Sequence, residues 1–117
     1  MPVRMSNKAF DKAVDAAIDQ VPDEFVALID NVVILVEDDP PDDEPDLLGF
    51  YDGVPLTERD SYYGMVPPDS ITLYRNPLKA MCETTEELIN EIAITVVHEL
   101  GHYFGIDDDQ LDEMGWG

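Results

Sequence analysis

Both histidines of the chain lie in one short segment, His-Glu-Leu-Gly-His, at residues 98–102. If this segment is helical, His98 and His102 share one face, because residues four apart in a helix are neighbours. Two neutral imidazoles so placed can bind one divalent ion, and Glu99, rotated by about 100° from His98, can flank that ion without binding it. A zinc hydrolase needs this arrangement, since the carboxylate can take a proton from a zinc-activated water.

The residues after this segment extend it to the pattern His-Glu-x-x-His-x-x-Gly-x-x-Asp. Gly105 allows the chain to turn sharply out of the helix, and Asp108 is then placed to return as a third ligand. Asp107 and Asp109 flank it, so the sequence leaves open which of the three completes the site. The alternative interpretation is a pair of surface histidines followed by a solvated acidic turn.

A long helix is predicted to carry this segment. Thr84 and Glu87 form a capping-box pattern, which marks a helix start. The apolar residues that follow recur at helical spacing, and Gly105 is suited to end a helix of about 20 residues. The predicted buried stripe consists of Leu88, Ile89, Ile92, Ala93, Val96, Val97 and Leu100.

The rest of the chain predicts a small α/β (α+β) domain spanning residues 1–117. Residues 6–20 form an amphipathic pattern with Ser6 as N-cap. Three apolar segments indicate strands, of which the first is expected to be buried on both faces because its apolar run is uninterrupted. These segments are residues 31–37, 47–51 and 70–75. Short helices are predicted after the Asn-Pro break at residues 76–77, around Leu78, Met81 and Cys82, and near Leu111 and Met114.

Acidic residues dominate the surface. The chain has 27 Asp and Glu against 6 Lys and Arg, a formal net charge of −21. Residues 37–46 contain seven acids and three prolines, which predicts an extended, solvated loop. Such a charge repels nucleic acids and anionic membranes, so we expect neither as a partner, and it favours basic peptides.

The chain carries no pattern that directs it to a membrane or to secretion. Its single cysteine, Cys82, excludes a disulfide within the chain, and no signal peptide or membrane-spanning run is evident. We therefore expect a cytoplasmic monomer.

The long motif resembles that of the gluzincin and metzincin metallopeptidases, with Asp in place of the third metzincin histidine, as in the snapalysin type. The whole chain is more closely similar to the bacterial minimal zincin-like metallopeptidases. The resemblance covers Phe50–Arg59, Ile71–Arg75, His98–Gly105, Asp107-Asp108 and Leu111–Trp116.

This resemblance implies a compact zincin-like fold, a small mixed β-sheet with an N-terminal helix and a long active-site helix. It also implies a zinc (Zn2+) metallopeptidase, in which His98, His102 and Asp108 bind the metal and Glu99 is the general base. Met114 lies only six residues beyond Asp108, so it is not equated with the metzincin Met-turn. The sequence does not select a second electrophile among Arg59, Tyr62, Tyr63, Tyr74 and Tyr103.

Three other functions would each explain part of the sequence, and each leaves one of its features unexplained. A catalytically silent metal-binding or protein-interaction module would not need Glu99, and structural zinc usually has four protein ligands, often cysteines. The chain also differs from the metal-dependent ribosomal-RNA maturation endonucleases, which carry a third histidine and lack the glutamate after the first, and its acidic surface would repel RNA. An acidic mimic of nucleic acid would explain the charge but leave the histidine motif to coincidence.

Overall fold

In a computed structural model, the chain is described at residues 4–23, 25–26, 32–53, 69–103 and 108–113, except for the side chains of residues 102, 103, 108, 111 and 112. These parts form an α/β structure in which helices pack on one face of a small mixed sheet. In chain order, the elements are α1 (Asn7–Gln20), β1 (Val32–Glu37), β2 (Gly49–Asp52), β3 (Asp69–Tyr74), α2 (Arg75–Ala80), α3 (Thr85–Tyr103) and α4 (Asp108–Glu113).

The sheet has the strand order β1-β3-β2, with β1 parallel and β2 antiparallel to the central strand β3. The register places Ile34 of β1 opposite Ile71 of β3, and Gly49 of β2 opposite Leu73. Ile71 and Leu73 are completely buried in the core. The three strands predicted from the sequence are therefore confirmed, with ends shifted by one or two residues.

The sheet has one buried face, which it turns toward α1 and α3. Residues of both helices share one apolar core with Ile71 and Leu73 of β3. On the opposite face of β1, Val33 and Leu35 are 42% and 47% exposed. The prediction that this strand is buried on both faces is wrong, because in the described part of the chain the helices cover only one side of the sheet.

The helix that follows β3 begins earlier than predicted. Residues 76–77 were expected to separate the strand from a helix, whereas α2 starts directly at Arg75. Pro77 then lies in the first helical turn, where its missing N–H would have had no partner within the helix. The acidic loop is fixed to this end of α2, because Arg75 Nη1 donates to Asp38 Oδ1 and Asn76 Nδ2 donates to Asp39 Oδ1, each at 2.8 Å.

The N-termini of the two longer helices have the predicted caps. Ser6 Oγ accepts a hydrogen bond from the N–H of Ala9 at 3.1 Å, and Thr84 Oγ1 accepts one from the N–H of Glu87 at 3.1 Å. The carbonyl of Thr84 also accepts the N–H of Leu88, which is the first bond of α3. Among the described residues, no helix has the length and apolar character needed to cross a membrane.

Removal of the second cap should weaken the helix that carries the histidines. Replacement of Thr84 by alanine leaves the N–H of Glu87 without its side-chain acceptor, and we expect the free energy of unfolding to fall by about 1 kcal/mol. Urea denaturation followed by circular dichroism measures this change. The matched control is Thr85→Ala, one residue later, and an equal loss in both variants would contradict the capping role.

Candidate active site

A hollow of about 380 Å³ lies where the N-terminal end of β2 meets the C-terminal half of α3. The buried stripe of α3 lies in the core, and residues on another side of this helix border the hollow. The described residues that line the hollow are Asp46, Leu47, Leu48, Gly49, Glu91, Ile94, Thr95, His98 and Glu99.

His98 and Glu99 both line this hollow, and both are half-buried. Their neighbours in the wall, Ile94 and Thr95, precede them by three to five residues on α3, so these side chains occupy one side of the helix. The opposite side carries the buried residues of the stripe. The imidazole of His98 and the carboxylate of Glu99, which are adjacent in the chain, are therefore accessible from one cleft.

The hollow is strongly acidic. Asp46, Glu91 and Glu99 contribute carboxylates, and the described residues that line it include neither lysine nor arginine. A concave wall lined by one sign of charge concentrates counter-ions. The hollow is therefore electrostatically suited to a divalent cation beside His98 or to a positively charged ligand.

The remaining residues of the predicted metal site are located only by their backbone. His102 lies in the last turn of α3, and Asp108 begins α4. Their side chains, and Asp107 entirely, lie outside the described residues, while Asp109 is described and exposed. The described side chains contain no group of three that could hold a metal ion. The roles of His98, Glu99, His102 and Asp108 thus remain predictions.

Gly49 sets how closely β2 approaches the helix in front of His98. A Cβ atom at this position would lie 2.8 Å from Thr95 Cγ2 and 3.2 Å from the carbonyl oxygen of Thr72. Thr95 is held in place, because its hydroxyl donates to the carbonyl of Glu91 at 2.7 Å. A side chain at residue 49 would therefore force the strand and the helix apart at the wall of the hollow.

Replacement of Gly49 by alanine should reduce the free energy of unfolding by about 1–3 kcal/mol, the usual cost of overpacking. Thr95→Ser removes the methyl group nearest to the new Cβ while keeping the hydroxyl, so the double variant should recover part of the loss. Chemical denaturation of the two single variants and the double variant measures this coupling. Strictly additive effects would show that the two side chains do not meet.

Tyr74 is the one predicted electrophile whose side chain the structure describes. It is 5% exposed, and burial raises the pKa of its hydroxyl, with further increases from the charges of Glu37, Glu44 and Glu99. The hydroxyl therefore stays protonated at neutral pH. Tyr74 is absent from the described lining of the hollow, which favours a packing role. The other candidates, Arg59, Tyr62, Tyr63 and the side chain of Tyr103, lie outside the described residues.

Cys82 has no catalytic character. It is 1% exposed, and burial raises the pKa of its thiol, as do the charges of Glu91 and Glu87. The protonated thiol is a poor nucleophile and a poor metal ligand. Cys82 is not part of the described lining of the hollow, whose ionisable groups are one imidazole and three carboxylates.

Several residues that line the hollow are not among the site residues predicted from the sequence. Glu91 and Thr95 could have been found, because they precede His98 by seven and three residues and so share its side of the predicted helix. Asp46 and Gly49 could not, since their placement depends on how the sheet packs on α3.

Comparison with known protein families agrees with this architecture. The family model described as Zincin-like metallopeptidase matches residues 29–116, which is 88 of the 117 residues. A comparison with functionally curated proteins gives no match. The matched region begins before β1 and includes the sheet, α2, α3 and α4. The chain therefore belongs to the zincin-like metallopeptidase family.

Proposed function

We propose that this protein is a zinc-dependent endopeptidase in which Glu99 is the general base and His98, His102 and Asp108 bind the metal. The observation that carries the proposal is the shared position of His98 and Glu99, which line one hollow beside β2. Membership of the zincin-like metallopeptidase family supports the same assignment.

The proposed ligands, two imidazoles and one carboxylate, are suited to zinc. Imidazole and carboxylate donors are typical of catalytic zinc sites, which have three protein ligands and keep one position open. His98 borders an acidic hollow, so a dication is electrostatically favoured there. A zinc ion bound by these residues would supply an acidified water and polarise the scissile carbonyl group.

Proton transfer is the task of Glu99. Its carboxylate is half-buried at the edge of the hollow, where it can accept the proton of the attacking water and then deliver it to the leaving amine. With both imidazoles neutral and one carboxylate ligand, the metal site would carry about one net positive charge. That charge acidifies water less than a site with three histidines does, which makes the base more important.

The substrate is proposed to bind along β2. This strand pairs with β3 on one side and is an edge of the sheet in the described part of the chain. An extended peptide can add to such an edge through main-chain hydrogen bonds, and its backbone would then run past Gly49, which lines the hollow. The net charge of −21 favours a basic peptide or protein. We further propose that the enzyme acts as a cytoplasmic monomer.

The direct test is cleavage of a mixed peptide library by protein that has been stripped with a chelator and reloaded with one equivalent of zinc. Mass spectrometry identifies the products. We expect internal cleavage that disappears on chelation and returns with zinc. Peptide binding without cleavage by the zinc-loaded protein would instead support the alternative, a catalytically silent binding module on this fold.

A further inference from the structure

A second hollow adjoins the candidate active site. It has a volume of about 570 Å³ and lies between the acidic loop and α2. We name it the loop groove, and its described lining is Asp39, Pro45, Asp46, Leu48, Asn76, Pro77, Ala80 and Met81.

The loop groove and the active-site hollow are adjacent, because Asp46 and Leu48 line both. Leu48 immediately precedes β2, the strand along which the substrate is proposed to bind. A peptide that follows this edge past Gly49 would therefore reach the groove.

The walls of the groove combine apolar surface with carboxylates. Leu48, Pro77 and Met81 are apolar, and Met81 is 49% exposed. Asp39 and Asp46 supply negative charge, and neither lysine nor arginine occurs in the described lining. Two cations are next to lining residues in the chain: Arg75 is paired with Asp38 at 2.8 Å, and Lys79 lies in the last turn of α2 without belonging to the described lining.

The groove also has a fixed shape at its loop side. Asn76 donates to Asp39 through its side chain at 2.8 Å, and its N–H donates to the carbonyl of Asp38 at 2.9 Å. These bonds hold the beginning of the acidic loop against α2. Asp39 is thus positioned before any ligand arrives, which reduces the entropy lost on binding.

We propose that the loop groove is a specificity pocket for a lysine or arginine side chain of the substrate. Long basic side chains bury an aliphatic stem while keeping a charged end among polar groups, as this combination of walls requires. The inference rests on the proposed peptidase function and adds to it the position at which basic residues are selected.

The test compares cleavage of a positional-scanning peptide library by the zinc-loaded wild type and by Asp39→Asn, Asp46→Asn and Asp43→Asn variants. Asp43 is an exposed residue of the same loop outside the groove lining, so its variant is a control with the same change in charge. We expect lysine or arginine to be preferred over norleucine about tenfold at one position. Each groove variant should reduce that preference about fivefold, and the control less than twofold.

Two results overturn the inference while leaving the peptidase function intact: cleavage without a basic preference, and a preference that all three variants share. If no variant and no wild-type protein cleaves peptides, the peptidase proposal fails. The groove is then tested by fluorescence anisotropy with a labelled peptide containing one lysine. Weaker binding to Asp39→Asn and Asp46→Asn than to Asp43→Asn supports the pocket, and equal binding overturns it.

Discussion

Replacement of Glu99 by alanine is expected to lower peptide hydrolysis about 10²- to 10⁴-fold, the usual contribution of a general base. The protein should remain folded and retain zinc, because Glu99 is half-buried at the hollow and is assigned to proton transfer rather than to metal binding. Values of kcat/KM on a cleaved library peptide, together with zinc content from mass spectrometry, measure both parts of this prediction.

Two further variants distinguish the loss of proton transfer from a change in side-chain size and from the loss of a negative charge on α3. Glu99→Gln keeps the size of the side chain but cannot accept a proton as a carboxylate does, so it should be nearly as inactive as the alanine variant. Glu86→Ala removes an exposed glutamate from the first turn of α3 and should keep wild-type activity. Full activity of both Glu99 variants would assign the hydrolysis to another residue or to a contaminant.

Replacement of either histidine is expected to abolish stoichiometric zinc binding. His98→Ala and His102→Ala each remove one of three proposed ligands, and we expect zinc affinity to fall more than about 100-fold, since even the loss of a ligand's supporting partner costs 10- to 100-fold. Competition with a chromophoric chelator measures the affinity. Three further variants test the carboxylate ligand: Asp107→Asn, Asp108→Asn and Asp109→Asn. Only Asp108→Asn should weaken zinc binding as much as the loss of a histidine does.

The same measurement can refute the ligand assignment. Unchanged zinc affinity of the His98→Ala and His102→Ala variants would show that the metal lies elsewhere or that its binding is non-specific. Circular dichroism of each variant checks that α3 is still formed. Because His98 is only half-buried, its replacement should not remove a large part of the core.

Local signals in the sequence predicted the element that carries the site. The apolar periodicity and the Thr84 cap identified α3 correctly, because both depend on residues within a turn or two of each other. The burial of β1 was predicted wrongly, since an uninterrupted apolar run does not reveal how many faces of a sheet the helices cover. The exposure of Val33 and Leu35 is decided by tertiary packing.

The residues of the candidate site also differ in whether local sequence or tertiary packing decides their placement. That His98 and Glu99 belong together follows from their adjacency on one helix, so the sequence was sufficient. The close approach of Gly49 to Thr95 brings together residues 46 positions apart in the chain, and no local pattern indicates it. The loop groove likewise depends on the contact of Asn76 with Asp39 across the end of the sheet.

The most direct test of this account is a crystal structure of the zinc-loaded protein with anomalous diffraction measured at the zinc edge. We expect one zinc ion per chain, about 2.0–2.1 Å from an imidazole nitrogen of both His98 and His102, with the Glu99 carboxylate at the hollow and not coordinating the metal. An anomalous peak away from the two imidazoles, or a Glu99 side chain that coordinates the metal, would contradict the proposed mechanism.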